Sequence, residues 1–177
     1  MSGFGYTSLM SRQTTFKGGP LELAGPELKV GDKAPEFSAV DKTLKDVNLA
    51  GTGPGVRVFS VVPSLDTPVC DMQTKRFNDA AAKLPGVTFY TISMDLPFAQ
   101  NRWCTNFGVD NVKMLSDHKH ASFGEQYGTL IKNWRIESRA IFVVDGDNVI
   151  RYVQYVPEVA EHPDYDAVIA KAKELAG

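Results

Sequence analysis

The sequence predicts an α/β protein with a mixed central sheet flanked by helices on both faces. Apolar runs rich in β-branched residues, such as VRVFSVV and VTFYTISM, have the composition of strands buried on both sides. These runs alternate with segments of helical periodicity, an order typical of parallel strands joined by crossover helices. Near the end of the chain, RAIFVVDGDNVIRYVQYV contains two β runs joined at DGDN, a strong hairpin signal that adds antiparallel strands.

The N-terminal part of the chain predicts short strands followed by one long buried strand. Residues 14–25 have the alternation of a β-hairpin, and its turn is expected at Gly18 and Gly19. Residues 29–51 indicate a loop and two short strands. The dense β-branched run over residues 56–63 ends at a proline and suits a central strand.

The first long helix is predicted over residues 69–84, where Pro85 and Gly86 end it. The apolar residues at helical spacing, which predict its buried face, are Val69, Met72, Phe77, Ala80 or Ala81, and Leu84. The remaining elements are expected in this order: a strand at 87–94, a helix at 96–109, a strand at 112–117, a short helix at 121–128, the hairpin at 139–156 and an amphipathic helix at 164–177.

Composition sets the outer limits on function. The chain has 177 residues, 43% hydrophobic and 23% charged, and we expect a single globular domain over residues 1–177. Its net charge of −2 argues against binding to nucleic acid or to an anionic membrane surface. No apolar run approaches the ~18–20 residues that a membrane span needs. The first residues lack the pattern of a secretory signal, so the expected location is cytoplasmic.

Cys70 and Cys104 are the two cysteines of the chain. In a reducing cytosol a permanent disulfide between them is not expected, because cytosolic disulfides are usually transient, catalytic or redox-sensing. A zinc site would need about four closely spaced ligands. The histidines at positions 118, 120 and 162 do not cluster with the cysteines in the sequence, so no metal site is expected.

The local sequence gives Cys70 a physical reason to be reactive. Pro63 closes a strand, Thr67 suits the N-cap of the next helix, and Pro68 suits its first position. Cys70 would then be the third helical residue, among unpaired backbone N–H groups at the positive end of the helix dipole, where an anion is favoured. The thiolate is the nucleophilic form of cysteine. The local pattern alone is equally compatible with a small buried hydrophobic residue.

The residues around both cysteines resemble those of a known family. PSLDTPVC fits the P-x-x-x-T-x-x-C signature of peroxiredoxins. DLPFAQNRWC is similar to the resolving-cysteine helix of the bacterial thiol peroxidases, which are atypical two-cysteine peroxiredoxins. SRAIFVVD resembles the strand that carries the active-site arginine of that family. The resemblance extends from the predicted hairpin to the last helix, whereas residues 1–13 are longer than usual and are expected to form a flexible extension.

The resemblance implies specific roles for four residues. Cys70 would be the peroxidatic cysteine, whose thiolate attacks the O–O bond of a hydroperoxide and becomes a sulfenic acid. Thr67 would orient the peroxide and the thiolate, and Pro63 would shield the sulfur from water. Arg139 would hold the thiolate and stabilise charge on the leaving oxygen. Arg135 lies close in sequence and is the alternative candidate for this arginine.

The resemblance also implies the rest of the catalytic cycle. Cys104 would be the resolving cysteine and form an intrachain disulfide with Cys70, which thioredoxin would reduce. The substrates would be hydrogen peroxide and organic hydroperoxides, with no metal, flavin or haem cofactor. The implied fold is thioredoxin-like with an added N-terminal β-hairpin, and the implied assembly is a homodimer.

Two other functions are compatible with two cysteines. A disulfide oxidoreductase of the thioredoxin type would favour a C-x-x-C pair, but positions 67 and 73 are threonine and glutamine. A non-enzymatic redox sensor shares the first chemical step with a peroxidase, so the sequence leaves that alternative open. Phe98 and Trp103, near Cys104, are expected to pack their helix rather than to contact substrate.

Overall fold

The computed structural model describes residues 12–177. The strands, in chain order, are β1 (Gln13–Phe16), β2 (Gly19–Glu22), β3 (Ser38–Val40), β4 (Asp46–Asn48), β5 (Val56–Val61), β6 (Val87–Ser93), β7 (Val112–Ser116), β8 (Leu130–Ile131), β9 (Ile136–Glu137), β10 (Ala140–Val144) and β11 (Ile150–Tyr155). The α-helices are α1 (Pro68–Lys83), α2 (Pro97–Phe107), α3 (Ser122–Tyr127) and α4 (Tyr165–Ala176), and a short 3-10 helix spans Ala50–Thr52.

A seven-stranded mixed sheet forms the centre of the molecule, in the order β11-β10-β5-β6-β7-β3-β4. The neighbours β5, β6 and β7 run parallel, as expected from their crossover helices. On either side of them the strands β10 and β3 pair antiparallel. The predicted α/β class and mixed sheet are therefore confirmed, including the β10–β11 hairpin across DGDN.

Two apolar layers cover the sheet, and β5 contributes to both. Val56 and Val58 pack in the layer formed with α1, α2 and α4. Phe59 and Val61 pack in the opposite layer, which includes aromatic side chains of α3. Because both faces of β5 are covered, all six of its residues are buried, and its sequence shows no regular alternation of apolar and polar residues.

Arg57 is the charged exception within β5. Its side chain is buried, and its guanidinium donates hydrogen bonds to the carbonyls of Gly55 and Asp145 and to the side-chain oxygens of Thr52 and Asn148. These contacts join the start of β5 to the turn between β10 and β11. Neutral acceptors thus satisfy the donors of a buried cation.

The buried face of α1 differs from the predicted one. Cys70, Gln73, Thr74, Phe77 and Ala80 are buried, whereas Met72 is 57% exposed. The prediction is correct for Phe77 and Ala80 and wrong for Met72. In its second turn, the buried side of α1 carries Gln73 and Thr74, and apolar periodicity does not register buried polar residues.

The N-terminal hairpin is present, with a turn one residue earlier than predicted. Phe16 pairs with Gly19, so Lys17 and Gly18 occupy the turn, and both have positive φ angles. An extension was expected over residues 1–13. Residues 1–11 lie outside the described part of the chain, and Gln13 is the first residue of β1.

The hairpin is attached to the segment that follows β11. The N–H of Thr15 donates to the carbonyl of Pro157 over 3.0 Å, and the N–H of Val159 donates to the carbonyl of Thr15 over 2.8 Å. The small sheet formed by β8 and β9, which the sequence did not predict, lies shortly before β10 in the chain. Within residues 12–177, none of the helices combines the length and apolarity needed to cross a membrane.

Candidate active site

Cys70 lies in the first turn of α1, at the place the sequence predicts. Thr67 is the N-cap with an extended backbone, Pro68 is the first helical residue, and Cys70 is the third. The Cys70 side chain has 0% of its surface exposed. Its sulfur therefore lies near the N-terminal end of a sixteen-residue helix and away from bulk water.

Arg139 provides the principal polar contact of the Cys70 sulfur. Its Nη2 donates to Sγ over 3.3 Å, while its Nη1 donates to Oε1 of Gln73 over 2.9 Å. The carbonyl of Val159 accepts from both Nε and Nη2, over 3.0 and 2.8 Å. Arg139 is 2% exposed, whereas Arg135 is exposed at the surface. Of the two arginine candidates, the structure places Arg139 at the cysteine.

The charge of Arg139 is not neutralised by a carboxylate. Across the described part of the chain, this guanidinium forms no ion pair, and its hydrogen-bond acceptors are a carbonyl, an amide oxygen and the sulfur. A buried cation with only neutral partners favours an anion beside it. The site can therefore hold negative charge on the sulfur or on an oxygen bonded to it.

Gln73 orients this arrangement and was not identified from the sequence. Its Oε1 accepts from Arg139, and its Nε2 donates to Oγ of Ser60 in β5 over 2.7 Å. Gln73 lies one helical turn after Cys70 and is fully buried. The signal available in the sequence was a polar residue one helical turn after a reactive cysteine.

The loop before α1 is held by a carboxylate that sequence reasoning also missed. Oδ1 of Asp95 accepts from the hydroxyl of Ser64 over 2.8 Å, and its Oδ2 accepts from the N–H of Leu65 over 2.9 Å. The hydroxyl of Thr67 donates to the carbonyl of Ser64 over 2.9 Å. Pro63 is buried at the start of this loop. Asp95, which lies just after β6, thus fixes the conformation of this loop.

Tyr165, the first residue of α4, lies within electrostatic range of the site. Burial raises the pKa of its phenol, the charges of Arg139 and Arg76 lower it, and Cys70 raises it. Its hydroxyl is 2.6 Å from Nδ1 of His162. Its place on an amphipathic helix was the one sequence feature that pointed to this tyrosine.

Cys104 lies on a different helix from Cys70. It is half-buried in the last turn of α2, and it contacts the apolar layer to which Cys70 belongs. Burial raises the pKa of the Cys104 thiol, and the positive charge of Lys42 opposes that shift. Both thiols are free. The structure therefore places the two cysteines of the chain on one side of the sheet without joining them.

Two hollows lie beside the cysteine helices. A cleft of about 680 Å³ is lined by Cys104 together with Lys42 and Asn101 among others. A smaller hollow of about 400 Å³ lies between α1 and α2, with Thr67 and Trp103 in its lining. Trp103 is buried, which confirms its packing role. Phe98 is 70% exposed, so the packing predicted for that residue is wrong.

Among residues 12–177, no group of three or more histidine, cysteine, aspartate or glutamate side chains is arranged to bind a metal ion. The polar groups around Cys70 are a guanidinium, an amide and a hydroxyl-bearing loop. Such groups stabilise negative charge on sulfur and oxygen through hydrogen bonds.

Comparisons with known proteins agree with this geometry. The Redoxin family model matches residues 29–169. A thiol peroxidase of Bacillus subtilis (strain 168) is 50% identical over 163 residues, which cover 92% of this chain and 98% of the relative. A thiol peroxidase of Oceanobacillus iheyensis is 52% identical over 156 residues, covering 88% and 95% of the two chains.

A solved structure extends the agreement to the fold. The crystal structure of a peroxiredoxin-like protein from Aquifex aeolicus is 46% identical and superposes with a TM-score of 0.87, covering 93% of this chain and 98% of that one. The fold is thus thioredoxin-like with an added N-terminal hairpin. Because the family model and the half-identical relatives span most of its length, the chain belongs to the Redoxin family, as a peroxidase of the peroxiredoxin type.

Proposed function

We propose that the enzyme reduces hydrogen peroxide and organic hydroperoxides through Cys70, resolves the product with Cys104, and is recycled by thioredoxin. The observation that carries this proposal is the 3.3 Å contact between Nη2 of Arg139 and Sγ of Cys70, in a buried site where the guanidinium has no carboxylate partner within residues 12–177. The thiol peroxidase relatives support the same substrate class.

The first step is a nucleophilic displacement on oxygen. The Cys70 thiolate attacks the nearer oxygen of the hydroperoxide, an S–O bond forms, and the O–O bond breaks. The leaving oxygen takes up a proton and departs as water or an alcohol, and Cys70 becomes a sulfenic acid. Arg139 stabilises the charge that moves from sulfur to the leaving oxygen. Thr67 orients the peroxide with its hydroxyl, and Pro63 keeps water from the sulfur.

The second step forms the intrachain disulfide. The Cys104 sulfur attacks the sulfenic sulfur of Cys70, an S–S bond forms, and the sulfenic oxygen leaves as water. A disulfide needs Cα atoms within roughly 7 Å of each other. Because the two thiols lie in turns of different packed helices, we expect the first turn of α1 or the end of α2 to unfold locally. Thioredoxin then supplies two electrons and returns both thiols.

Single-turnover experiments on two variants test these roles. Cys70→Ser lacks the nucleophile, so it is expected to consume no peroxide. Cys104→Ser is expected to consume one equivalent and leave a sulfenic acid that a dimedone-type probe traps, visible by intact mass. Turnover with thioredoxin, thioredoxin reductase and NADPH is expected to fall sharply in this variant. Peroxide consumption that survives in Cys70→Ser would show that the cysteine roles are wrong.

We also propose a homodimer that works in the cytoplasm. Several large apolar side chains of α1 and α2 are exposed, including Met72, Phe98 and Phe107, and they would be covered in an assembly of two copies. Light scattering measures the mass directly. A mass equal to that of one chain at micromolar concentration would contradict the dimer.

A further inference from the structure

Two buried carboxyl groups, one of them close in sequence to Arg139, take no part in the chemistry above. Glu137 ends β9, two residues before Arg139, and Asp117 follows β7. Both side chains have 0% of their surface exposed. Two adjacent carboxylates cannot both remain ionised away from water, so a pair this deep holds one shared proton.

Asp117 accepts two backbone hydrogen bonds. Its Oδ1 accepts from the backbone N–H of Phe123 over 2.9 Å, and its Oδ2 accepts from that of Gly124 over 2.8 Å. Both oxygens thus act as acceptors at the start of α3, where the backbone N–H groups favour a negative charge.

Glu137 is the neutral member. Its Oε2 accepts from the hydroxyl of Thr129 over 2.6 Å. Its Oε1 is buried and has no donor partner among the described residues. The carboxyl group of Asp117 lies within hydrogen-bonding range of the Glu137 carboxyl group. A proton on Oε1, donated to Asp117, satisfies both groups.

The surroundings of Glu137 agree with this protonation. Burial raises its pKa well above the usual range, and the hydrogen bond and the charge of Asp117 raise it further. The hydroxyl of Thr129 and the exposed positive charge of Arg135, in the loop between β8 and β9, act in the opposite direction. Gly124 of α3 faces the Glu137 carboxyl group, and a Cβ at that position would lie 2.8 Å from each of its oxygens.

We propose that neutral Glu137 is a positioning residue for the peroxidase reaction, because its proton bridge to Asp117 fixes the end of β9, two residues before the arginine that reaches Cys70. The inference rests on the role of Arg139 in the proposed function. Loss of the proton would place two carboxylates against each other where both side chains are fully buried. Their repulsion would displace β9 and withdraw the guanidinium from the sulfur.

The backbone connects the pair to Arg139. The N–H of Ser138 donates to the carbonyl of Thr129 over 2.7 Å, and the hydroxyl of that threonine donates to Glu137. Thr129 therefore holds Glu137 and Ser138, the two residues immediately before Arg139. The carbonyl of Arg139 accepts from the N–H of Val156 over 3.0 Å. A shift of β9 is transmitted directly to the arginine.

The test is the pH profile of Cys70 oxidation by hydrogen peroxide in single turnover, from about pH 6 to about pH 10. The wild-type rate constant is expected to fall reversibly as the proton of Glu137 is lost. Glu137→Gln keeps a neutral donor to Asp117, so at neutral pH it should stay within about twofold of wild type and lack the alkaline fall. Glu137→Ala should lose about tenfold to a hundredfold through misplacement. Glu125→Gln, on the exposed face of α3, is the matched control and should keep the wild-type profile.

The inference also requires that Glu137 act through Arg139. In an Arg139→Lys background, Glu137→Gln should no longer alter the alkaline limb, since the group that it positions is gone. Superposable profiles for wild type and Glu137→Gln would overturn the inference, and so would an undiminished effect in the Arg139→Lys background. If Glu137→Ala does not fold, the comparison of wild type with Glu137→Gln still decides. Peroxide consumption by Cys70→Ser would instead overturn the proposed function.

Discussion

Replacing Arg139 with lysine separates charge from geometry at the cysteine. The arginine donates two hydrogen bonds to the carbonyl of Val159, one to Gln73 and one to the sulfur of Cys70. Lysine keeps the positive charge, but its single nitrogen cannot reproduce a planar fork that reaches three groups at once. We therefore expect the contact with the sulfur to be lost or misdirected in Arg139→Lys.

The magnitude follows from the number of donors removed from the reacting atoms. Removing one donor aimed at developing negative charge costs about 10²–10³ in rate, or roughly 2.7–4 kcal/mol. Because lysine retains the charge, we expect the lower end, a fall of about a hundredfold in the rate constant with peroxide. The oxygen of Gln73 also loses a buried donor, which should lower the free energy of unfolding by about 1–3 kcal/mol.

The assay is stopped-flow oxidation of Cys70 by hydrogen peroxide at neutral pH, with chemical unfolding measured in parallel. Arg135→Lys is the matched control, because Arg135 is exposed and makes no contact with the sulfur. It should keep the wild-type rate within about twofold. An Arg139→Lys rate within about threefold of wild type would refute the reasoning, as would an equal loss in Arg135→Lys.

Four further outcomes are expected. Trp103 adjoins Cys104 and is buried, so its fluorescence should change when the disulfide forms, and identical emission in both redox states would count against local unfolding. Arg57→Met should lower the free energy of unfolding in urea by about 2–4 kcal/mol, because it leaves one buried and several partly buried acceptors without donors. Gly124→Ala should destabilise by about 1–3 kcal/mol despite its better helix propensity, because a Cβ there would lie 2.8 Å from both Glu137 oxygens; equal stability would contradict the close contact. Glu137 binds its proton more tightly in the folded chain than in the unfolded one, because its pKa is raised on folding. The stability of the wild type should therefore fall relative to that of Glu137→Gln by about 1.4 kcal/mol per pH unit, from about pH 4.3 up to the folded pKa. Parallel curves of unfolding free energy against pH for the two proteins would disprove this.

The positions of the helices and strands could be predicted because local signals agree with the fold. Thr67 and Pro68 mark the start of α1, and Gly108 takes the left-handed conformation that ends α2. The β8–β9 sheet was missed because two-residue strands carry no periodicity. The turn of the N-terminal hairpin was misplaced by one residue because Lys17 adopts a positive φ that is more usual for glycine.

The site was only partly readable from the sequence, for a different physical reason. Cys70 has a local signature, but the choice between Arg139 and Arg135 depends on which side chain faces the interior. Gln73 and Glu137 are polar residues that most often lie in water. Their burial depends on partners distant in sequence, and no local pattern in a single sequence records such partners.

The hairpin made by β1 and β2 affects what can be changed at the N-terminus of this enzyme. The carbonyl of Val159 anchors the guanidinium of Arg139, and the N–H of the same residue is bonded to Thr15 in β1. Through Val159, a strand outside the central sheet and near the N-terminus therefore supports the position of the Arg139 side chain. Deleting the N-terminus past residue 15, or fusing a rigid carrier that displaces β1, would remove this hydrogen bond. Such a protein would keep its core and its cysteines, and still react sluggishly with peroxide.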